Sequence, residues 1–529
     1  MRESKRTFRL KAAIPLLVLV MVFGPAAGGS SRADAGGGLL GGLLGGLVGV
    51  VDGLLGVVTA GWDDGATTDP TPMRDVTAAT GAQQMWSRGY DGRGVDVALI
   101  DSGVAPVQGL SAASKVLNGP DLSFESQSRY YRHLDTFGHG THMAGIISGT
   151  DGTSGGFKGM APGSRLVNLK VASRDGAADV SQVIAAIDWV VQHRHDGLNI
   201  RVLNLSFGTN GVQDRMVDPL AHAVESAWRN GIVVVVAGGN DGATRSALSN
   251  PAYDPMVLAV GAVDLKGTVS AVDDRVAPFS SRGSVTRSVD LVAPGVSIAS
   301  LRNPGSSIDD AHQSSVVNTR FFRGSGTSQA AAVTSGAVAL LLQARPDLTP
   351  DQVKALLRST ATPLAQDGAR AQGSGRLNVD LAARSAVPSN ASQASAPSQG
   401  TGLLEAARGS DHVAEAGVEL TGERDIMGAP WVGSAWAPLA SIGAAWDGGY
   451  WRGVEWTGSC WCSTSWSGTS WSGKSWTGKS WTGKSWTSDL WSGKSWTGKS
   501  WTGTSWTGKS WTGTSWTGRN WMLAARSGR

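Results

Sequence analysis

Five short runs of consecutive apolar residues punctuate the middle of the chain, at 95–100, 165–171, 201–205, 232–236 and 257–260. Each is continuous rather than alternating and rich in Val, Ile and Leu, the pattern of strands buried on both faces. Helical patterns lie between them. Val180, Val183, Ile184, Ile187 and Val191 share one face of a segment that Asp179 is placed to cap. Residues 214–229 form a second such segment, closed by Asn230-Gly231. A third apolar stretch runs over 330–342, with Gly336 as its one breaker. Strands alternating with helices predict an α/β fold, a doubly wound and mostly parallel sheet with helices on both faces. In such sheets functional groups gather at the carboxyl ends of the strands.

The pattern changes toward both ends of the chain. At 529 residues there is room for two or three domains. Residues 1–35 have the form of an export signal: a basic head with Arg2, Lys5, Arg6, Arg9 and Lys11, an apolar stretch over 12–23, and Ala33-Asp34-Ala35 as a cleavage site. A low-complexity Gly/Leu-rich segment follows at 36–77, interrupted by Asp52; its glycine density favours a flexible or membrane-surface spacer over a membrane anchor. The globular composition occupies 78–384. Residues 385–430 begin Ser/Ala/Pro/Gln-rich and are expected to be a linker, and a Trp-rich repeat tail fills 431–529.

Charge is nearly uninformative. Six of the 46 basic residues and two of the 42 acidic ones lie in 1–35, so 40 of each remain, and no general attraction to nucleic acid or acidic lipid is implied. The two cysteines, Cys460 and Cys462, lie in the tail, so the expected globular domain has no disulfide framework.

Four stretches carry candidate chemistry. In Gly326-Thr327-Ser328-Gln329-Ala330 a serine opens the third apolar stretch, among the unpaired N–H groups of a helix start; a plain Ser cap is the alternative. Asp101 begins Asp101-Ser102-Gly103 directly after the first apolar run, where an Asx-turn is the alternative. His139-Gly140-Thr141-His142 places two histidines three apart. They suit metal ligation or base chemistry, although no third ligand cluster is evident and no glutamate stands between them. Ala237-Gly238-Gly239-Asn240 ends the fourth run and presents an amide, with turn chemistry as the alternative; Ser206-Phe207-Gly208 ends the third, where exposed backbone could pair with an extended peptide.

Taken together and in this order, the Asp-Ser-Gly, His-Gly-Thr-His-x-Ala-Gly and Gly-Thr-Ser-x-Ala signatures resemble those of subtilisin-like serine proteases, the subtilases of peptidase family S8, over about 78–384. The resemblance implies a serine endopeptidase working on protein or peptide substrates. It makes Ser328 the nucleophile, His139 rather than His142 the general base, and Asp101 the orienting carboxylate. It gives Asn240 an oxyanion-binding role together with the Ser328 N–H, and assigns Ser206, Phe207, Gly208, Ala237, Gly238 and Gly239 to the substrate cleft. No cofactor is implied, and a structural calcium cannot be read from the residues. Two departures stand out. The family places a proline four residues after the nucleophile, where this chain has Ala332, so the first helical turn is less rigidly set. The Gly/Leu pattern of 36–77 does not suggest the compact inhibitory prodomain that many secreted relatives carry.

In the tail a tryptophan recurs every five residues from Trp431 to Trp521, missing only at Ser441. Five is not a helix period, since successive tryptophans would step about 140° around an α-helix. Lysines interleaved with tryptophans suit cell-surface or glycan attachment first, self-assembly second and nucleic acid last. The expected protein is secreted or surface-associated; a surface-attached wall- or glycan-binding protein with a vestigial protease domain is the alternative.

Overall fold

The computed structural model describes residues 69–456, except 212, 416 and 417, together with Trp461 and the backbone of two short strands at 481–483 and 501–503. The expected export signal, most of the 36–77 segment, the cysteines and most of the tail lie outside the described residues.

An eight-stranded sheet forms the centre. Its strands in chain order are β1 (Asp96–Asp101), β2 (Val116–Asp121), β3 (Arg165–Lys170), β4 (Ile200–Leu205), β5 (Val233–Ala237), β6 (Leu258–Asp264), β7 (Arg275–Val276) and β8 (Leu291–Pro294). The spatial order is β2-β3-β1-β4-β5-β6-β7, with β8 also pairing β6, and every pairing is parallel except β6–β7. The five apolar runs are therefore β1, β3, β4, β5 and β6. All of β5 is buried, as a central strand covered on both faces must be. The chain moves one way from β1 and the other way at β4, so the carboxyl ends of these two neighbours face the point where the winding reverses.

Helices α1 (His139–Ser148), α2 (Val180–His193), α3 (Pro219–Arg229), α4 (Thr327–Ala344) and α5 (Pro350–Ser359) cover the sheet. α1 packs with α4, and α2 packs with α3. The start of α2 is fixed by a capping box: the Asp179 side chain accepts from Ser181 N, and Gln182 Oε1 accepts from Asp179 N at 2.7 Å. Asp218 caps α3 with Pro219 in its first turn, so that helix begins five residues after the expected start at 214. Two further strands, β9 (Ile298–Leu301) and β10 (Phe321–Gly324), pair antiparallel, and Thr71–Pro72 joins β9 in parallel. The folded unit thus begins before 78, because Met73 and Val76 are buried apolar anchors of the helix Met73–Ala79.

The segment expected as a linker behaves otherwise. Gln393 N donates to Asp351 at 3.0 Å and Ser398 N to Glu225 at 2.9 Å, so its polar groups find partners on α5 and α3. A short helix α6 (Leu404–Arg408) buries Leu404, Ala407 and the Arg408 guanidinium, which donates to Asp179 at 2.6 Å. Between 386 and 400 only Ser398 and Gly400 are buried, so the stretch stays at the surface, tied down at a few polar groups.

The first tail repeats are packed too. After α7 (Gly433–Ser441) the chain makes a three-stranded meander of two-residue strands at Trp446–Asp447, Tyr450–Trp451 and Val454–Glu455. Trp431, Trp436, Trp446, Trp451, Trp456 and Trp461 are all buried. Their rings meet at centroid separations such as 5.0 Å for Trp431–Trp436 and 5.7 Å for Trp446–Trp456. Over Trp446–Trp456 a short strand and turn in each five residues returns the ring to one side, which neither a helix nor a long strand would do. Trp436 and Trp451 each donate an indole N–H to Asp188 of α2 at 2.8 Å. Trp461 reaches Phe124, 5.6 Å between centroids. Among the described residues, no helix is long and apolar enough to cross a membrane.

Candidate active site

Asp101 is the last residue of β1, and its main chain continues the sheet through Val171 N, which donates to Asp101 O at 2.8 Å. Its carboxylate is nearly buried and meets His139, the first residue of α1. His139 Nδ1 lies 2.8 Å from one oxygen and 2.9 Å from the other. A carboxylate only accepts, so the proton of the neutral imidazole is fixed on Nδ1 and Nε2 becomes the basic atom. The approach of α1 to β1 depends on Gly140. A Cβ there would lie 2.1 Å from Gly103 O, so any side chain would push the helix and its histidine away.

Ser102 and Asp135 frame this pair, and neither was singled out from the sequence. Ser102 N donates to Asp101 at 2.7 Å, and its hydroxyl donates to Asp135 at 2.8 Å while accepting from Gly140 N at 2.9 Å. Asp135 also accepts from Gly138 N and Thr141 N, both at 2.7 Å, so it serves as the anion at the start of α1. Burial pushes the Asp135 carboxyl up and these hydrogen bonds pull it back, leaving it above the usual range. The available signal was an acid four residues ahead of the histidine, within capping reach of its helix.

His142 has a different environment. Its Nε2 lies 3.1 Å from both Ile298 O and Phe322 O, and burial drives its pKa down to about 3, so it remains a neutral tie between α1 and the β9–β10 pair. The two histidines therefore turn to different partners rather than converging. Among the described residues no group of three or more His, Cys, Asp and Glu is arranged to hold a metal.

Ser328 is the second residue of α4 and is buried at its amino end. Thr327, beside it, organises the surroundings. Asn240 Oδ1 accepts from Thr327 N at 3.0 Å and from its hydroxyl at 2.9 Å, and Thr327 Oγ1 in turn accepts from Gly239 N at 3.2 Å. With its oxygen so engaged, the Asn240 Nδ2 donor is turned the other way, buried and without a partner among the described residues. A buried amide N–H left unmet is costly, and such a donor is suited to accept an anion that arrives later. Gly326 N is tied to Gly295 O at 2.8 Å, which fixes the entry to α4. Ala332 is buried within a helix that runs unbroken from Thr327 to Ala344.

Ser206, Phe207 and Gly208 follow β4 and are buried, and Ser206 Oγ lies 3.5 Å from Ser328 O. Ala237 ends β5, and Gly238 N continues the ladder to Val260 O at 2.9 Å. Both segments thus leave neighbouring parallel strands on the side where Asp101 leaves β1.

The model of the subtilase family of peptidases matches residues 92–378. Serine protease AprX of Bacillus subtilis strain 168 is 36% identical over 315 residues, covering 58% of this chain and 70% of its own. Subtilisin DY of Bacillus licheniformis is 34% identical over 305 residues, covering 57% of this chain and 96% of its own. Minor extracellular protease Epr of Bacillus subtilis strain 168 is 30% identical over 286 residues, 54% of this chain and 38% of that protein.

Proposed function

Because this chain belongs to the subtilase family and is a subtilisin-like serine protease, we propose that it cleaves peptide bonds through an acyl-enzyme formed on Ser328. His139 Nε2 takes the hydroxyl proton as Ser328 attacks the carbonyl carbon, and Asp101 stabilises the resulting imidazolium. The carbonyl oxygen, now an anion, is met by Asn240 Nδ2 and the Ser328 N–H. His139 then returns the proton to the leaving amine. Water repeats the sequence on the ester and frees the enzyme. The observation that carries this reading is the orientation of Asn240, whose oxygen is tied to Thr327 and whose buried amide donor has no partner among the described residues. Segments 206–208 and 237–239 are assigned to flank an extended peptide chain, pairing with it through backbone groups.

Export is part of the same proposal. It is supported by the basic head and apolar stretch within 1–35 and by the similarity to an extracellular protease. Contact with cell-wall or glycan material through the Trp-rich tail remains a proposal from residue chemistry alone. A vestigial protease domain is not favoured, since each residue required by the reaction is in place in the sequence.

Labelling of the full-length protein with a fluorophosphonate tests the proposal. Wild type is expected to be labelled and Ser328→Ala not; equal labelling of both would overturn it.

A further inference from the structure

The family match ends at 378, yet the two segments assigned to substrate are tied together by residues beyond it. After 206–208 the chain passes to Thr209 and Asn210. Thr209 Oγ1 donates to Ala407 O at 2.5 Å, and Asn210 N donates to the Asp411 carboxylate at 2.7 Å. Gly409 lies so close that a Cβ on it would stand 2.4 Å from the Asn210 carbonyl, at a φ of +67° that favours glycine. Main-chain and side-chain groups of 407–411 therefore hold both residues that follow the first substrate segment.

The same residues reach the second segment by two routes. Thr209 exchanges main-chain hydrogen bonds with Asn250 at 2.9 and 3.0 Å, and the neighbouring Ser249 N donates to Gly238 O at 3.3 Å. The Asn250 amide extends toward Ala407 O, 3.5 Å away. On the other side Arg245 donates to Asn210 Oδ1 and lies 3.8 Å from Asp241, the residue after Asn240. The root of this segment is rigid, because Arg408 is buried against Asp179 at the start of α2.

We propose that residues 407–411 are a positioning element for substrate, with Asp411 the positioning residue that sets the spacing of segments 206–208 and 237–239. The inference rests on the assignment of those segments to the peptide made above. Its physical content is that a strand-like substrate needs two backbone edges at a fixed separation. The edge at 206–210 has no regular strand beyond Leu205 to hold it, so it is held by the Thr209–Asn250 bridge, by Ala407 O and, at Asn210, by the carboxylate of Asp411. A reagent that engages only Ser328 and the oxyanion donors does not use that separation.

The experiment compares full-length wild type, Asp411→Ala, Asp411→Asn and Thr209→Val. Three quantities are measured: kcat and KM on a chromogenic peptide with four residues ahead of the cleaved bond, the labelling rate with a small fluorophosphonate, and Tm. Asp411→Ala removes the charge-assisted hydrogen bond from Asn210 N together with the longer contact from Asn210 Nδ2, and is expected to raise KM on the order of five- to tenfold. Its kcat, labelling rate and Tm are expected to stay near wild type. Asp411→Asn keeps an oxygen acceptor and is expected to restore KM to within about twofold, while Thr209→Val is expected to raise KM as Asp411→Ala does. An unchanged KM in Asp411→Ala overturns the inference, and so does a parallel loss of KM, labelling and Tm, which would mark general destabilisation. Wild type that resists labelling would instead overturn the hydrolytic reading itself, and this inference with it.

Discussion

The Ser102 hydroxyl and the Asp135 carboxylate meet at 2.8 Å, joining the turn after β1 to the start of α1. Through this contact the residues next to Asp101 and His139 share one buried anion. Asp135→Leu would take the acceptor from three donors, leaving Gly138 N and Thr141 N unmet and Ser102 Oγ with only Asp101, 3.2 Å away. Since a misplacement of about 1 Å costs on the order of a hundredfold in rate, kcat is expected to fall by about that factor. Tm should fall as well, and Asp135→Asn should lie between the two. A Leu variant with wild-type kcat would show that the contact does not govern the Asp101–His139 geometry.

Asn240 separates two roles within one side chain. Asn240→Asp keeps an oxygen for Thr327 but loses the donor, so kcat is expected to fall about 10²–10³-fold with KM little changed. The size of that effect is the one known for subtilisin itself. Asn240→Ala loses the Thr327 contacts as well and should also lower Tm. Steady-state kinetics and thermal melts of both variants check this.

Arg408 and Asp179 are wholly buried as a pair, 2.6 Å apart. Removing one partner strands the other charge, so Arg408→Ala is expected to cost about 3–5 kcal/mol in denaturant unfolding. Arg408→Met combined with Asp179→Asn should recover part of this, because the amide still caps α2 and no bare charge remains. If Arg408→Ala unfolds like wild type, residues 404–426 are not part of the cooperative unit.

Asp188 gives a pH dependence with a definite sign. Burial pushes its carboxyl up to about 7, against the indole N–H donors of Trp436 and Trp451. In the unfolded chain an ordinary aspartate ionises near 4. Between those values the folded state holds the extra proton, so stability falls as pH rises, by at most about 1.4 kcal/mol per pH unit. Urea unfolding across pH 4–8 should show this decline in wild type and a shallower one in Asp188→Asn, where burial of Asp254 and Asp274, pushed up to about 7 and about 6, still contributes with the same sign. A decline of equal size in both would place its origin elsewhere.

How much of this was legible in the sequence follows from how each part is stabilised. Strands β1, β3, β4, β5 and β6 are covered on both faces, so their burial is written as unbroken apolar runs. β2 reads Val-Leu-Asn-Gly-Pro-Asp and sits at the sheet edge with half its residues partly or fully exposed, where proline and polar residues are tolerated and the apolar signal is lost. Asp101, His139 and Ser328 stand out because small residues must flank them, and Gly140 shows the steric reason. Asp135 and Asp411 do not stand out. Asp135 is one acid among the polar residues of a loop, marked only by its capping distance from α1, and Asp411 accepts from Asn210 N across 201 residues, a link that no local pattern shows. The tryptophan period was visible, but not that its first members form a core. That depends on Asp188 in α2, which no local periodicity indicates.

On the proposed reading, the acid and base come from the early part of the family-matched segment and the nucleophile from near its close, with the Asp411 and Asp188 ties supplied later still. Chains are synthesised amino end first. A nascent polypeptide that has emerged through α1 therefore holds a proton acceptor with nothing to activate. One that has emerged through α4 has its chemistry but not the spacing that grips a peptide. Full grip on a peptide therefore comes only with the finished molecule, after the chemistry itself is already in place.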